Sequence, residues 1–389
     1  MKIGIFTNNY FPRVTGVAYS IENFKKGLEK LGNKVYIFAP KYKKDKEEKD
    51  TYRFKSISFP QERGHFYYPL PIPYSLKIKK IIQNLDLDII HSQHPYLLGK
   101  TAKQFSKELD IPIVFTNHTL YHKYFDRLPL DLGRIFKPFV LKKVINYANQ
   151  CNLTIVPTKG MAEIFIKNGL KKPLSVIPSS IDYKKFIKVK PGRIKKEYNL
   201  RDDDILILTV SRLSYEKNID FLIKVFANIL SNEKKLASNL YFMIIGDGLE
   251  RKKLESQAAS LGIRKKIIFT GEINYQKLPL YYSSADIFVY SSLIDAQALV
   301  LVEAMASGLP IVAIGEALGP RETIKINKTG FLVRRNQKDF AKQVLRLIEN
   351  PFLRKYMAEN SKKEAKNYSI EVLTQKLLKA YNSLLDKKN

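Results

Sequence analysis

Ile287-Phe-Val-Tyr-Ser-Ser-Leu-Ile-Asp295-Ala-Gln-Ala-Leu-Val-Leu-Val-Glu303-Ala-Met-Ala-Ser-Gly308-Leu-Pro-Ile311-Val-Ala313 decides the fold. Its first four residues are a short apolar and aromatic run of the kind that forms a buried strand. A loop carrying Asp295 follows, then an apolar helix carrying Glu303, then a second strand-like run. Strands joined through a helix lie parallel in one sheet. The same alternation extends upstream through strands expected at Ile205–Val210, Leu240–Ile245 and Ile267–Thr270. Beyond the polar, basic stretch Lys184–Arg201 it resumes at Lys2–Thr7, Lys34–Ala39, Ile89–His91, Ile113–Asn117, Leu153–Pro157 and Ser175–Pro178. A helix between the first two of these carries Val17, Ile21, Phe24, Leu28 and Leu31 on one face and stops at Gly32.

This pattern predicts an α/β protein of two doubly wound, Rossmann-like domains. We expect residues 1–190 to form the first and 191–365 the second. Residues 366–389 would be a helix returning to pack on the first. Two such domains face to face would leave a cleft at the carboxyl ends of their sheets, where open sheets bind ligands.

The chain has 389 residues with 45% hydrophobic composition, enough for two full cores. No apolar run approaches the roughly 20 residues that span a bilayer. The first residues enter a strand directly, and Cys151 is the only cysteine. A cytoplasmic protein without disulfides is therefore expected. The net charge of +30 calls for polyanionic partners or reflects a general lysine bias. Residues 1–190 hold 34 basic and 15 acidic side chains, a net +19; the remainder hold 33 and 22, a net +11. Nucleic acid is not the expected partner, because the basic residues are dispersed and no helix-turn-helix, finger or RNA-binding motif appears.

Asp295 and Glu303 lie eight residues apart across a helix start, where the N–H groups of Gln297, Ala298 and Leu299 offer unpaired donors. Such a terminus suits a phosphate. Asp295 could accept from sugar hydroxyls and Glu303 from a ribose diol. The spacing alone better fits an acidic first turn and one buried, paired glutamate. In Ser211-Arg212-Leu-Ser-Tyr-Glu-Lys217-Asn218, Arg212 and Lys217 follow a strand's carboxyl end, where a guanidinium and an ammonium suit a pyrophosphate. Alone, that segment also reads as a solvated basic loop. Gly246-Asp-Gly248 ends a strand in a turn that would admit a ligand close to the backbone.

These segments, with Phe11-Pro-Arg-Val-Thr-Gly16-Val17, Val156-Pro-Thr158 and Val176-Ile-Pro178, resemble family four of the retaining nucleotide-sugar glycosyltransferases over nearly the whole chain. The resemblance implies the GT-B fold, with a donor held mainly by the second domain and transfer with retention. It implies that Arg212 and Lys217 hold the donor phosphates and Glu303 the ribose. Backbone at Gly16 would close on the diphosphate, and backbone at Ile273 would read the base. Two positions depart from the family pattern: Asp295 where Glu is usual, and Ala298 where Gly is usual. Both fall beside the transferred sugar. No nucleophile is supplied, so front-face displacement is expected, with Asp295 and the neighbouring N–H groups holding sugar and phosphate.

His118 ends the strand Ile113–Asn117, and Thr116-Asn-His118-Thr-Leu-Tyr121-His-Lys-Tyr124 is similar to the acceptor-side segment of bacterial diacylglycerol glucosyltransferases. Its neutral imidazole could hydrogen-bond a hydroxyl. On position alone it reads equally well as a core histidine. The spacings His118–His122 and His91–His94 lack the carboxylates and cysteines of a zinc site. Asp202-Asp-Asp204 precedes a strand and reads as a solvated loop. No metal and no cofactor is expected beyond the nucleotide-sugar substrate, UDP-glucose first.

The acceptor side lies in the more basic half. Tyr67 and Tyr68, in an aromatic and proline-rich segment, run towards Lys77, Lys79 and Lys80. Arg134, Lys137 and Lys142 flank Phe136 and Phe139. Both mixtures suit an anionic membrane surface, and both also fit core aromatics beside solvated lysines. The leading expectation is a peripheral enzyme on the inner face of the cell membrane that glucosylates a diacylglycerol-type lipid. A GDP-mannose-dependent enzyme acting on phosphatidylinositol, a soluble transferase with a sugar acceptor, and a non-enzymatic polyanion-binding protein are the alternatives.

Overall fold

The computed structural model describes residues 1–43, 48–59, 68–123, 130–189, 192–236 and 238–386. The chain divides into two compact units, Met1–Ile181 with Ile370–Asn389, and Asp182–Ser369.

The first unit holds strands β1 (Lys2–Phe6), β2 (Lys34–Pro40), β3 (Thr51–Phe54), β4 (Ser56–Phe59), β5 (Tyr68–Pro71), β6 (Ile89–Ser92), β7 (Ile113–Thr116), β8 (Leu153–Val156) and β9 (Leu174–Val176). Seven of them form a parallel sheet in the order β3-β2-β1-β6-β7-β8-β9, while β4 and β5 pair antiparallel as a separate hairpin. Strands β3, β4 and β5 are short and carry little apolar periodicity, so the sequence pattern does not reveal them. The helix Gly16–Lys30 starts where Thr15 Oγ1 accepts from Ala18 N at 3.2 Å. It buries Ile21 and Leu28 against the sheet, whereas Leu31, expected on that face, lies past the last turn and is exposed. The terminal helix Ile370–Leu385 places Leu377 and Tyr381 in the same core as Ile3, Ile5, Ile37 and Ile89.

The second unit holds β10 (Ile205–Val210), β11 (Leu240–Ile245), β12 (Ile267–Gly271), β13 (Ile287–Tyr290), β14 (Ile311–Ile314) and β15 (Gly330–Val333). They form one parallel sheet in the order β12-β11-β10-β13-β14-β15. Four-residue β15 at the sheet edge was not expected from the sequence. The basic stretch before β10 is packed onto this unit: Lys195 is buried, with Nζ 2.7 Å from Asp204 O and 3.1 Å from Asp286 Oδ2. Asp204, read as part of a solvated loop, is buried too. It accepts from Arg201 N at 2.8 Å and from the Arg201 guanidinium at 2.9 Å.

Strand order reverses between β1 and β6 in one sheet and between β10 and β13 in the other. Loops leaving neighbouring strands at such a point diverge to opposite faces and open a crevice at the carboxyl edge.

Candidate active site

In the second unit the crevice is bounded by the two loops that sequence reasoning singled out. Ser211–Asn218 leaves β10, and Ser291–Ala298 leaves β13 and enters the helix Leu299–Ala306. Their charged groups meet. Lys217 Nζ lies 2.8 Å from Asp295 Oδ2 and 3.1 Å from Oδ1, both side chains being mostly buried. The Tyr290 hydroxyl donates to the same Oδ2. Ser291 Oγ donates to the carbonyls of Lys217 at 2.7 Å and Asn218 at 3.0 Å, tying the two loops together. The ammonium assigned to phosphate and the carboxylate assigned to sugar hydroxyls thus neutralise each other here.

Arg212 is mostly exposed, its guanidinium 3.7 Å from the buried carboxylate of Glu216, which also accepts from Ser214 Oγ at 2.7 Å. Ser211 Oγ beside it is buried with no hydrogen-bond partner among the described residues.

Glu303 sits inside its helix, 3% exposed. The Tyr282 hydroxyl donates to its Oε2 at 2.9 Å, and Tyr275 also bonds the carboxyl. Burial outweighs these two bonds and pushes the carboxyl up to about 7. The helix ahead of it has no side-chain cap at Ala298. A Cβ at Gly319 would come within 3.0 Å of Ala298 N, so that glycine lets its own segment pack closely against the backbone at this helix start. Gln297 and Leu299 flank this amide, and Ile273 lies half-buried in the loop after β12.

Gly246 lies at φ +128°, and a Cβ there would sit 1.9 Å from Ser211 O. The room left by its missing side chain is therefore filled by the chain's own backbone. Gly246 lets the loops after β10 and β11 lie against one another.

In the first unit, Asn8 closes the reversal point. Its side chain donates to Tyr96 O at 2.9 Å and accepts from Leu98 N at 3.0 Å. Gly16 opens the helix after β1, where Asn9 Nδ2 donates to the capping Thr15 at 2.9 Å. His118 follows β7, and its Nε2 lies 2.7 Å from Oε1 of the buried Gln93, which follows β6. Burial lowers His118 to about 4. His91 is a structural histidine: Nδ1 bonds the Tyr381 hydroxyl at 2.6 Å and Nε2 bonds Thr116 Oγ1 at 2.7 Å.

Of the acceptor-side residues, Tyr67 lies outside the described residues, and Tyr68 and Arg134 are described only as backbone of β5 and of the helix Leu130–Ala148. Lys77, Lys79 and Lys80 lie on the helix Leu76–Gln83, with Lys77 and Lys80 exposed. Ile57 and Leu70, directly opposed in the hairpin, are exposed, as are Ile72, Tyr74 and Leu76 just ahead of these lysines in the chain. Lys137 is half-buried and Lys142 exposed, near the exposed rings of Phe136 and Phe139.

Sequence reasoning missed Tyr290, Tyr282 and Gln93. For the two tyrosines the signal available was a tyrosine inside an otherwise apolar strand or helix, whose hydroxyl requires a partner when buried; Gln93 carries no such signal.

Two family models match in succession: Glycosyltransferase Family 4 over residues 14–185 and Glycosyl transferases group 1 over residues 192–364. An alpha-monoglucosyldiacylglycerol synthase of Acholeplasma laidlawii is 31% identical over 100% of this chain and 98% of its own. The chain belongs to family 4 of the glycosyltransferases. It is a hexosyltransferase that uses a nucleotide-sugar donor. An enzyme of the same name from Streptococcus pneumoniae is 33% identical over 81% of this chain and 71% of its own. HepE of Anabaena, solved in complex with UDP, superposes with a TM-score of 0.77 at 19% identity, covering 98% of this chain and 100% of that one. The fold of this glycosyltransferase is GT-B, with one doubly wound sheet in each unit. Among its described residues no helix is long and apolar enough to cross a membrane, and no three His, Cys, Asp or Glu side chains gather as a metal site would require.

Proposed function

We propose that this glycosyltransferase moves glucose from UDP-glucose to a diacylglycerol-type lipid, with retention, at the surface of an anionic membrane. The observation that carries the donor half is the pairing of Lys217 with Asp295 at the reversal point of the second sheet. A diphosphate arriving there offers Lys217 a stronger partner and releases Asp295 to accept from sugar hydroxyls. Arg212, exposed and flexible in reach, completes the phosphate clamp. Ser211 Oγ, buried without a partner, has an acceptor to bond once phosphate oxygens are present. Glu303 accepts from the ribose diol, and its buried carboxyl ionises more readily against those hydroxyls.

Front-face displacement needs no nucleophile from the protein: the departing phosphate oxygen takes the acceptor hydroxyl's proton while Arg212 and Lys217 hold its negative charge. The lipid half rests on the two relatives named as monoglucosyldiacylglycerol synthases, on the exposed apolar residues Ile57 and Leu70, and on Ile72, Tyr74 and Leu76 just ahead of Lys77 and Lys80 in the chain. Apolar side chains enter the headgroup layer while each lysine adds about 1 kcal/mol against anionic lipid. A net charge of +19 in residues 1–190 acts in the same direction.

The test is glycolipid formation in vesicles that contain diacylglycerol, with or without anionic lipid, and with UDP-glucose or GDP-mannose. Glucolipid from UDP-glucose that depends on anionic lipid is the expected result. Product from GDP-mannose, or equal turnover with a water-soluble acceptor, would refute the donor or the lipid assignment respectively.

A further inference from the structure

The two imidazole nitrogens of His118 are in different positions. Nε2 faces Gln93 Oε1 at 2.7 Å, and a carbonyl oxygen only accepts. With that oxygen towards the ring, the nitrogen in contact with it carries the hydrogen. Gln93 is 5% exposed, and its backbone N–H donates to Phe6 O at 2.9 Å at the point where the sheet order reverses. His118 shares a small cavity with Gln93, Thr116, Pro157 and Ser179, and nothing among the described residues hydrogen-bonds its Nδ1.

We propose that Gln93 is a positioning residue that holds His118 as the Nε2–H tautomer, so that the Nδ1 lone pair accepts a hydrogen bond from the acceptor's hydroxyl. This rests on the acceptor-side role that the family resemblance implies for His118 and specifies what that side chain contributes. The residues lining the cavity include no carboxylate and no amine. His91 and His94 are titratable neighbours, and both are neutral, held down to about 3 by burial first and then by the His118 ring. His118 is likewise low, at about 4, through burial alone. A base this weak orients a hydroxyl and aims its oxygen lone pair; it does not remove the proton. That division of labour matches front-face displacement, in which the leaving phosphate takes the proton.

The test uses the full chain with 15N-labelled histidine. The His118 signals are assigned by their loss in His118→Asn. At pH 7 the wild-type ring should show a protonated Nε2 and an unprotonated Nδ1. In Gln93→Leu the ring should become a mixture of tautomers, and kcat/KM for diacylglycerol in vesicles should fall about tenfold while KM for UDP-glucose stays unchanged. Gln93→Glu should raise the ring's affinity for a proton, because a carboxylate now faces it, and should move the acidic limb of kcat/KM upward by more than about one pH unit. A wild-type Nδ1–H ring, or a His118 signal that ignores Gln93→Leu, overturns the assignment of Gln93. Full lipid glucosylation by His118→Asn overturns the acceptor role itself, independently of the tautomer.

Discussion

Glu303 should weaken the fold of the second unit at the pH where it serves the ligand. Its carboxyl is moved from 4.5 to about 7 by burial, with Tyr282 and Tyr275 offsetting part of the effect. At about 1.4 kcal/mol per pH unit, that displacement corresponds to about 3 kcal/mol of unfavourable ionisation in the folded state. The sign follows from which state binds the proton more tightly. Below about pH 4.5 the group is protonated folded and unfolded, and its burial costs nothing extra. Between 4.5 and 7 the unfolded chain releases the proton first, so stability falls as pH rises. Above about 7 the full penalty is present. Glu303→Gln keeps the shape and the acceptor for Tyr282 but cannot ionise. Relative to wild type it should gain about 3 kcal/mol between pH 4.5 and pH 8. For a unit of this size that is about 6–12 °C in Tm.

Calorimetry of both proteins at pH 5, 6, 7 and 8 measures the gain, and the difference between them cancels the titration of every other group. The same substitution should weaken UDP binding by about 1.5–3 kcal/mol, the loss of a charge-assisted bond to the ribose. A Tm difference that is flat across this pH range would refute the argument that Glu303 is held buried against its own desolvation. A flat difference in UDP affinity with the stability gain intact would instead separate the ribose role from the burial.

Gly246→Ala places a Cβ 1.9 Å from Ser211 O at φ +128°, so the second unit should lose roughly 3 kcal/mol or more, whereas Gly32→Ala, at φ +79° with open space around it, should cost about 1 kcal/mol. Thermal unfolding of the two variants side by side checks the contrast. Tyr290→Phe removes the hydroxyl from Asp295 Oδ2 without changing the strand, and kcat should fall about tenfold with stability altered by about 1 kcal/mol, read by steady-state kinetics and urea unfolding. Lys77→Ala and Lys80→Ala should each weaken sedimentation with anionic vesicles about fivefold, with no change on zwitterionic ones.

The alternation of apolar runs with helical segments made the two sheets legible, because a strand buried on both faces leaves a continuous hydrophobic signature. Strands β3 and β15 escaped because edge strands of four residues carry too little of it. The hairpin β4–β5 escaped because its opposed residues Ile57 and Leu70 face outward, which reverses the usual reading of alternation. Spacing located the charged residues of the site but not their partners. Nothing in Lys217 or Asp295 taken singly announces that they bond each other, because that contact depends on β10 and β13 being neighbours. Lys195 shows the reverse error. A lysine in a basic stretch reads as solvated, yet the carbonyls of Asp202 and Asp204 and the Asp286 carboxylate satisfy it inside the unit.

The Lys217–Asp295 pair also explains how one site can be ready for a diphosphate and a neutral sugar at once. An ammonium mostly removed from water and left alone would be costly, and so would a lone carboxylate beside it. Paired, each is held in the geometry that its proposed ligand requires. The Tyr290 hydroxyl shares the carboxylate's charge, and the Ser291 bonds fix the backbone under the lysine. Lys217→Ala should therefore do two separable things. It should leave Asp295 partly buried without its cation, lowering the stability of the second unit by about 1–3 kcal/mol. It should also reduce kcat/KM for the donor by about a hundredfold or more, since both ground-state phosphate binding and the leaving-group charge lose their nearest cation. The double variant Lys217→Ala, Asp295→Asn should recover most of the stability and none of the turnover. Recovery of both would mean that the pair is only a structural strut, and recovery of neither would mean that the two side chains are not coupled.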